Sequence, residues 1–177
     1  MKKVLFIAAA LLILAGSLNA APPKGYIGLY ADLNHSVCNF MGTGAMTFYV
    51  WCLPSQNGMT AAEFAASIPA WVFASPSPNP AVLALGGLTT GTSVTFPGGC
   101  QNDWVWTYSV FAFVSAPTPG SINIIADPSV SPPVLKYASC ALGNPLEDII
   151  IINNLVLNGP CLIATKDASW GAIKSLF

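Results

Sequence analysis

The feature that most constrains the fold of this chain is a succession of short apolar segments, each ended by turn residues. Segments rich in β-branched and aromatic residues alternate with Gly, Pro and Asn at intervals of roughly 8–15 residues. This pattern predicts an all-β fold, an antiparallel β-sandwich of about nine strands with jelly-roll or immunoglobulin-like connections. The predicted strands cover residues 26–33, 47–53, 60–68, 81–85, 92–96, 104–115, 121–126, 134–140 and 149–157.

Two segments between these strands carry strong turn signals. Asn57-Gly58 predicts a tight turn, because glycine readily adopts the positive φ that such turns need. Residues 75–80 contain Pro76, Pro78 and Pro80, and this density of proline predicts a loop.

The N-terminal residues predict export. Met1-Lys2-Lys3 precedes an apolar run over residues 4–15, which is typical of a secretory signal peptide spanning residues 1–20. We therefore expect a secreted protein, extracellular or on the cell surface, with the periplasm as a further compatible location. No later apolar run reaches 18 residues, so no membrane span is expected in the mature chain. Residues 21–164 are predicted to form one β-sandwich domain, followed by a tail over residues 165–177.

Charge is scarce throughout the chain. It holds six lysines, no arginine, seven acids and one histidine, so 7% of it is charged, against about 25% for an average soluble domain. So few cations cannot neutralise several phosphates, which argues against a nucleic-acid partner. Because 54% of the residues are apolar, intrinsic disorder is excluded for the chain as a whole. The low charge favours adhesion or self-association.

Five cysteines follow the predicted leader, in a compartment that permits disulfides. The preferred arrangement pairs Cys38 with Cys52 and Cys100 with Cys140, leaving Cys161 free or paired between chains. Other arrangements remain open, because spacing alone does not select among them. The absence of any CxxC motif argues against a zinc site.

The longest predicted strand offers a candidate ligand platform. Trp104, Trp106 and Tyr108 recur at period two, so they share one strand face on which sugar rings could stack. The alternative is that this face belongs to the core, because Val110 continues it. Phe111 and Phe113 then fall on the opposite face, and one of the two faces is partly exposed or covered.

The C-terminal tail has a different periodicity. Trp170, Ile173 and Phe177 fall on one face of a short helix, predicted over about 8–10 residues. This tail is either a docking peptide or an end that packs on the sandwich.

The sequence contains few candidates for catalytic or metal-binding residues. A triad would have to use His35, and no G-x-S-x-G motif occurs; a Cys-His pair would need Cys161 beside His35. The acids lack the spacing of a calcium loop, so no metal or cofactor is expected. The candidate oxygen ligands weighed for a metal are Asp32, Asn34, Asp103, Asp127, Glu147 and Asp148.

Three stretches carry a resemblance to other proteins. WCLPSQNGM at 51–59, CQNDWVW at 100–106 and WGAIKSLF at 170–177 resemble a group of short secreted bacterial proteins that have no assigned activity. More distantly, residues 57–69 are similar to cohesin-like and carbohydrate-module β-sandwiches. The resemblance implies a sandwich fold and supplies no catalytic residues.

These observations predict a non-catalytic interaction module that is secreted or held at the cell surface. Its expected partner is a protein, a polysaccharide or another subunit of an extracellular assembly, including a second copy of the chain. The alternative hypothesis is a small secreted hydrolase.

Overall fold

The computed structural model describes residues 24–161, which form a β-sandwich of twelve strands. Among these residues, no helix is both long and apolar enough to cross a membrane. The strands are β1 (Gly25–Tyr30), β2 (Asn39–Phe40), β3 (Gly44–Leu53), β4 (Ala61–Ser67), β5 (Val72–Pro78), β6 (Leu83–Gly87), β7 (Gly91–Thr95), β8 (Val105–Val114), β9 (Gly120–Ile125), β10 (Lys136–Ala138), β11 (Leu146–Asn153) and β12 (Leu155–Leu157).

The strands form two layers. The first sheet has the order β11-β1-β3-β8-β5, in which β1 and β11 are parallel and the other pairs are antiparallel. The second sheet is built around β4, which pairs with β7, β9 and β10; β6 extends it beyond β7, and β12 and β2 extend it beyond β9. Strand β10 also pairs with β11 and so joins the two layers at one edge.

The core lies between the two sheets. Along β8, Tyr108, Val110, Ala112 and Val114 are buried, whereas Phe111 and Phe113 are exposed, so alternate residues point in opposite directions. Tyr108 reaches the second sheet, where its hydroxyl lies 2.8 Å from Thr92 Oγ1. Fully burying a large apolar side chain contributes about 1.5–3 kcal/mol. The largest such side chains include Phe48, Ile27 and Leu29 of the first sheet and Phe64, Ile122 and Leu155 of the second.

The proline-rich segment predicted to be a loop is instead the edge strand β5. Phe73, Ser75 and Ser77 lie opposite residues of β8, so the strand is paired along only one side. Proline lacks an amide hydrogen, and edge strands tolerate it where that hydrogen would face solvent. The density of proline therefore marked the edge of a sheet rather than a break between strands.

The predicted strand over residues 149–157 is divided at Asn154 into β11 and β12, which belong to different layers. Strand β11 approaches β1 closely at Gly28, where an added Cβ would lie 2.1 Å from Asn153 Oδ1. The two-residue strand β2, which pairs in parallel with β12, has no signal of its own in the sequence.

The disulfides correct the predicted pairing in part. Cys100 and Cys140 are paired as expected, but Cys38 pairs with Cys161. Cys52 is the free cysteine of the described residues, buried on β3 within the core. The physical reason is that β2 pairs in parallel with β12, which places Asn39 beside Val156, and that the chain after β12 then returns toward β2. Asn39 Nδ2 donates to Gly159 O over 3.2 Å, which brings the segment that ends at Cys161 close to Cys38. Burial raises the pKa of the Cys52 thiol to about 12.

Candidate interaction surface

Three phenylalanines lie together on the outward side of the first sheet. The strand register places Phe73 of β5 beside Phe113 of β8, and Phe111 between Ser75 and Thr47 in the next row. Phe73, Phe111 and Phe113 are 65%, 58% and 48% exposed. We call the surface that they form with their outward neighbours the aromatic face. It comprises Ala45, Thr47, Tyr49, Phe73, Ser75, Ser77, Ser109, Phe111 and Phe113.

The aromatic face carries no charge. Strands β1, β3, β5 and β8 contain no Asp, Glu, Lys, Arg or His. The acids of the described residues lie in loops, on the second sheet or at the start of β11. Isolated exposed apolar residues are ordinary, whereas three adjacent exposed rings make this surface a candidate interaction site.

The outward side of the second sheet has a different composition. Leu83 and Leu85 of β6 are exposed there, but the strand register sets them beside Thr95, Ser93 and Glu63. The Ser93 hydroxyl donates a hydrogen bond to Glu63 Oε1 over 3.3 Å. We call this surface the polar face, defined by Ala61, Glu63, Leu83, Leu85, Ser93 and Thr95.

The predicted platform of Trp104, Trp106 and Tyr108 is divided between two sides of the sheet. Tyr108 lies opposite Val50, but Trp106 lies opposite Trp51, so a β-bulge interrupts the register. Tyr108 consequently points into the core with 3% exposure. Trp106 packs edge-on against Tyr49 of the aromatic face, with ring centroids 6.0 Å apart. Periodicity alone could not reveal this division, because a bulge changes the face without changing the sequence spacing.

Trp104, which precedes β8, belongs to a separate aromatic cluster around His35. The imidazole of His35 stacks on Trp104 with centroids 4.3 Å apart and an interplanar angle of 14°. Trp51 and Tyr30 meet His35 edge-on at 4.9 and 6.0 Å. No local sequence pattern predicts this cluster, because strand pairing brings Trp51 and Trp104 to Tyr30 and His35 from distant parts of the chain.

The loop that carries His35 is held by Asp32. The Asp32 carboxylate accepts hydrogen bonds from the backbone amides of Ser36 and Val37, each over 2.9 Å, and from the Ser36 hydroxyl. Burial acts to raise the pKa of Asp32, but these hydrogen bonds outweigh it and hold the pKa below its ordinary value. Burial, together with the nearby Asp32 charge, raises the pKa of Tyr30 to about 12.

The remaining acids have structural partners. The hydrogen bond from the Tyr137 hydroxyl, followed by that from Asn57, lowers the pKa of Glu147. Asp127 accepts the Ser129 amide over 2.7 Å, Asp103 accepts the Trp104 amide over 2.7 Å, and Asp148 lies 3.8 Å from Lys136 Nζ. Within residues 24–161, no three His, Cys, Asp or Glu side chains are grouped to hold a metal ion.

Two predicted segments lie outside the described residues. They are the signal peptide at residues 1–20 and the C-terminal tail with Trp170, Ile173 and Phe177. Both stay predictions.

Comparisons with known proteins identify the fold. No protein-family model matches the sequence, and no curated protein matches it. Among solved structures, a non-cellulosomal cohesin from the hyperthermophilic archaeon Archaeoglobus fulgidus is similar, with a TM-score of 0.52 and 9% sequence identity over 84% of this chain and 97% of that one. The seventh ScaB type I cohesin from Pseudobacteroides cellulosolvens matches with a TM-score of 0.49 and 12% identity, over 81% of this chain and 96% of that one. The likeness to the A. fulgidus structure shows that the chain has the β-sandwich fold of a cohesin module.

Proposed function

We propose that this protein is a non-catalytic, secreted or surface-held interaction module that binds a protein partner through the aromatic face. The observation that carries the proposal is the exposure of Phe73, Phe111 and Phe113 on a surface without charge. Aromatic residues are enriched and charged residues are depleted at the centres of protein interfaces. Covering these rings removes apolar surface from water and stabilises the complex.

The fold and the disulfides support this role. The cohesin from A. fulgidus shares the sandwich architecture, although fold alone does not carry function. The Cys38–Cys161 and Cys100–Cys140 pairs are typical of proteins that work in an oxidising compartment, so we place the module outside the cytoplasm.

The surroundings of the nucleophile candidates argue against a hydrolase. Cys161, which a Cys-His pair would need, is bonded to Cys38. Cys52 is enclosed in the core with a raised pKa, so its thiol stays protonated at neutral pH and substrate cannot reach it. His35 packs among the rings of Tyr30, Trp51 and Trp104.

Site-specific photo-crosslinking tests the proposed function. A photoreactive phenylalanine analogue at Phe111 is expected to form covalent adducts with a protein when the exporting cells are illuminated. The same analogue at Leu85, on the polar face and 63% exposed, is the matched control and is expected to form few. Equal adduct yields from the two positions, or none from Phe111, would contradict the proposal.

A second candidate function, glycan binding, draws on the half-buried rings of Tyr49 and Trp106. They contact each other at one end of the aromatic face, and Ser77 and Ser109 share a row with Tyr49. An aromatic ring beside hydroxyl groups suits the apolar and polar parts of a pyranose. If this function holds, Trp106→Ala should abolish retention on a polysaccharide column while Phe111→Ala leaves it unchanged; a column that never retains the wild-type protein counts against it.

A further inference from the structure

We propose that the partner of the aromatic face is a second copy of this chain, so that two sandwiches associate face to face about a two-fold axis. The inference rests on the proposed function, because it names the partner of the same surface. In such an interface each residue of the patch meets the same patch on the other copy.

Charge permits contact between two copies. Residues 24–161 contain two lysines and six acids, so two copies carry net charge of the same sign and repel each other at a distance. None of those charged side chains lies on β1, β3, β5 or β8, and charges elsewhere on the surface are screened over about 10 Å at ordinary ionic strength. The uncharged faces can therefore meet without an unpaired charge being buried. The lack of cations on these strands also argues against an anionic lipid surface as the partner.

The free edge of β5 is unsuited to association by strand addition. Asn79 N donates to Thr107 O, and Ser115 N donates to Trp71 O. Bonded pairs alternate in an antiparallel ladder, so the backbone nitrogens of Ala74, Pro76 and Pro78 point away from β8. Two of these three are prolines without a hydrogen to donate.

The preceding donor on that edge, the backbone N–H of Val72, is also hydrogen-bonded within the chain. Val72 N donates to Pro69 O over 2.9 Å, so Ala74 is left to offer a donor to an added strand. The edge of β5 therefore offers too few backbone donors for edge-to-edge strand pairing, as do the protected edges of native sheets. The neighbouring aromatic face, in contrast, carries exposed rings. Contact through the face is consequently favoured over strand addition at this edge.

The size of the face suits a weak dimer. The aromatic face spans three strands, β3, β8 and β5, of seven to ten residues each. At about 4.8 Å between strands and about 3.3 Å per residue, these give a surface of roughly 330–480 Å² on each copy. This is less than the roughly 800 Å² that each partner buries in a standard interface, so the dimer is expected to be in the weak class.

The relief of the face also suits a second copy. Phe111 stands between Thr47 and Ser75, and Phe113 stands between Ala45 and Phe73. Rings that project beside small residues can fit between the projecting rings of a second copy. The two sheets would then lie about 10 Å apart, which is the usual distance between stacked sheets.

Analytical ultracentrifugation of the purified protein tests the inference. We expect a monomer–dimer equilibrium with a dissociation constant between about 1 µM and about 1 mM. Phe111→Lys should raise this constant about 30-fold or more, because it places an unpaired charge at the centre of the contact. Leu85→Lys adds the same charge on the polar face and should change the constant less than about threefold. Thermal melting of each variant verifies that the fold is retained.

Two results would overturn the inference. One is a monomer throughout that concentration range; the other is equal weakening by the two lysines. Phe113→Ser is a second variant in case Phe111→Lys does not fold, with weakened dimerisation again the expected result.

The photo-crosslinked adducts separate this inference from the proposed function. An adduct between two copies of the chain at Phe111 supports both. An adduct with a different protein, from a chain that sediments as a monomer, overturns self-association and retains the proposed function. A monomer without any adduct overturns both.

Discussion

The two outward surfaces of this sandwich follow the same strand geometry but carry different chemistry. On the aromatic face, phenylalanine rings stand beside alanine, serine and threonine without a charge on the supporting strands. On the polar face, Leu83 and Leu85 stand among Thr95, Ser93 and Glu63. Alternation determines which residues of a strand face the core, but it leaves the outward residues unconstrained. Adjacent large apolar side chains at outward positions, without a charged residue among them, therefore point to a partner.

The largest effect should come from removing the rings. Replacing Phe73, Phe111 and Phe113 together by Ser is expected to weaken self-association by more than about 100-fold, or about 3 kcal/mol, because these rings supply most of the apolar area. The matched control replaces Leu83 and Leu85 by Ser and should leave the dissociation constant nearly unchanged. Sedimentation over a concentration series measures both. Comparable losses in the two variants would remove the distinction between the faces.

An effect of similar size, but on stability instead of association, is expected when a residue away from both faces is changed. Gly58 has φ +70°, and an added Cβ would lie 2.2 Å from Cys100 Sγ. Gly58→Ala should lower the free energy of unfolding by roughly 2–4 kcal/mol, because it strains the backbone and crowds the disulfide. Gly98→Ala, where the added Cβ meets nothing within 4 Å, is the control.

Denaturant titration of the two glycine variants gives the values. The folded fraction of Gly58→Ala should still self-associate like the wild type. A loss of association with stability retained would place the interface at this turn instead of on the aromatic face.

Alkaline pH should lower the free energy of unfolding through titratable groups that are buried in the core. Burial raises the pKa of Cys52 from 9.0 to about 12, so the unfolded chain releases this proton first. Between about pH 9 and pH 12 the unfolded state binds fewer protons, and the free energy of unfolding falls by up to about 1.4 kcal/mol per pH unit. Tyr30 and Tyr137, whose pKa values burial raises to about 12, add to the fall above pH 10.

Cys52→Ala isolates the contribution of the thiol. In urea titrations at a series of pH values, this variant should lose the part of the decline that begins near pH 9. It should keep the part that begins near pH 10. An unchanged profile would show that the Cys52 thiol does not titrate differently in the folded and unfolded states.

The smallest effect should come from salt. Raising NaCl from about 0.05 M to about 0.5 M should change the dissociation constant of the wild type by less than about threefold, because screening acts on charges and the aromatic face has none. The measurement is the same sedimentation series. A tenfold weakening with salt would indicate a charged interface elsewhere on the molecule.

Much of the fold could be predicted from the sequence, because period-two alternation and turn residues are local signals. The strand that includes Trp106 to Val114 and the turn at Asn57-Gly58 are examples, and both are confirmed. Features that depend on the pairing of strands far apart in the sequence could not be predicted. The Cys38–Cys161 disulfide depends on β2 lying beside β12, and the burial of Tyr108 with Trp106 outward depends on a bulge opposite Val50 and Trp51.

The candidate surface was visible only in part. The sequence placed Phe111 and Phe113 on the strand face opposite Val110, and the structure confirms this. Phe73 could not be assigned to the same surface, because the three following prolines predicted a loop instead of the edge strand that carries it. A rule that allows proline on edge strands would have predicted β5 as a strand. It would not have predicted that β5 pairs with β8.

The most direct test follows both faces in one experiment, by NMR at increasing protein concentration. Self-association through the aromatic face predicts concentration-dependent shifts of the Phe73, Phe111 and Phe113 ring signals, with the Leu83 and Leu85 methyl signals unchanged. Shifts of the leucine methyl signals with constant ring signals, or ring signals that stay constant up to about 1 mM, would contradict it.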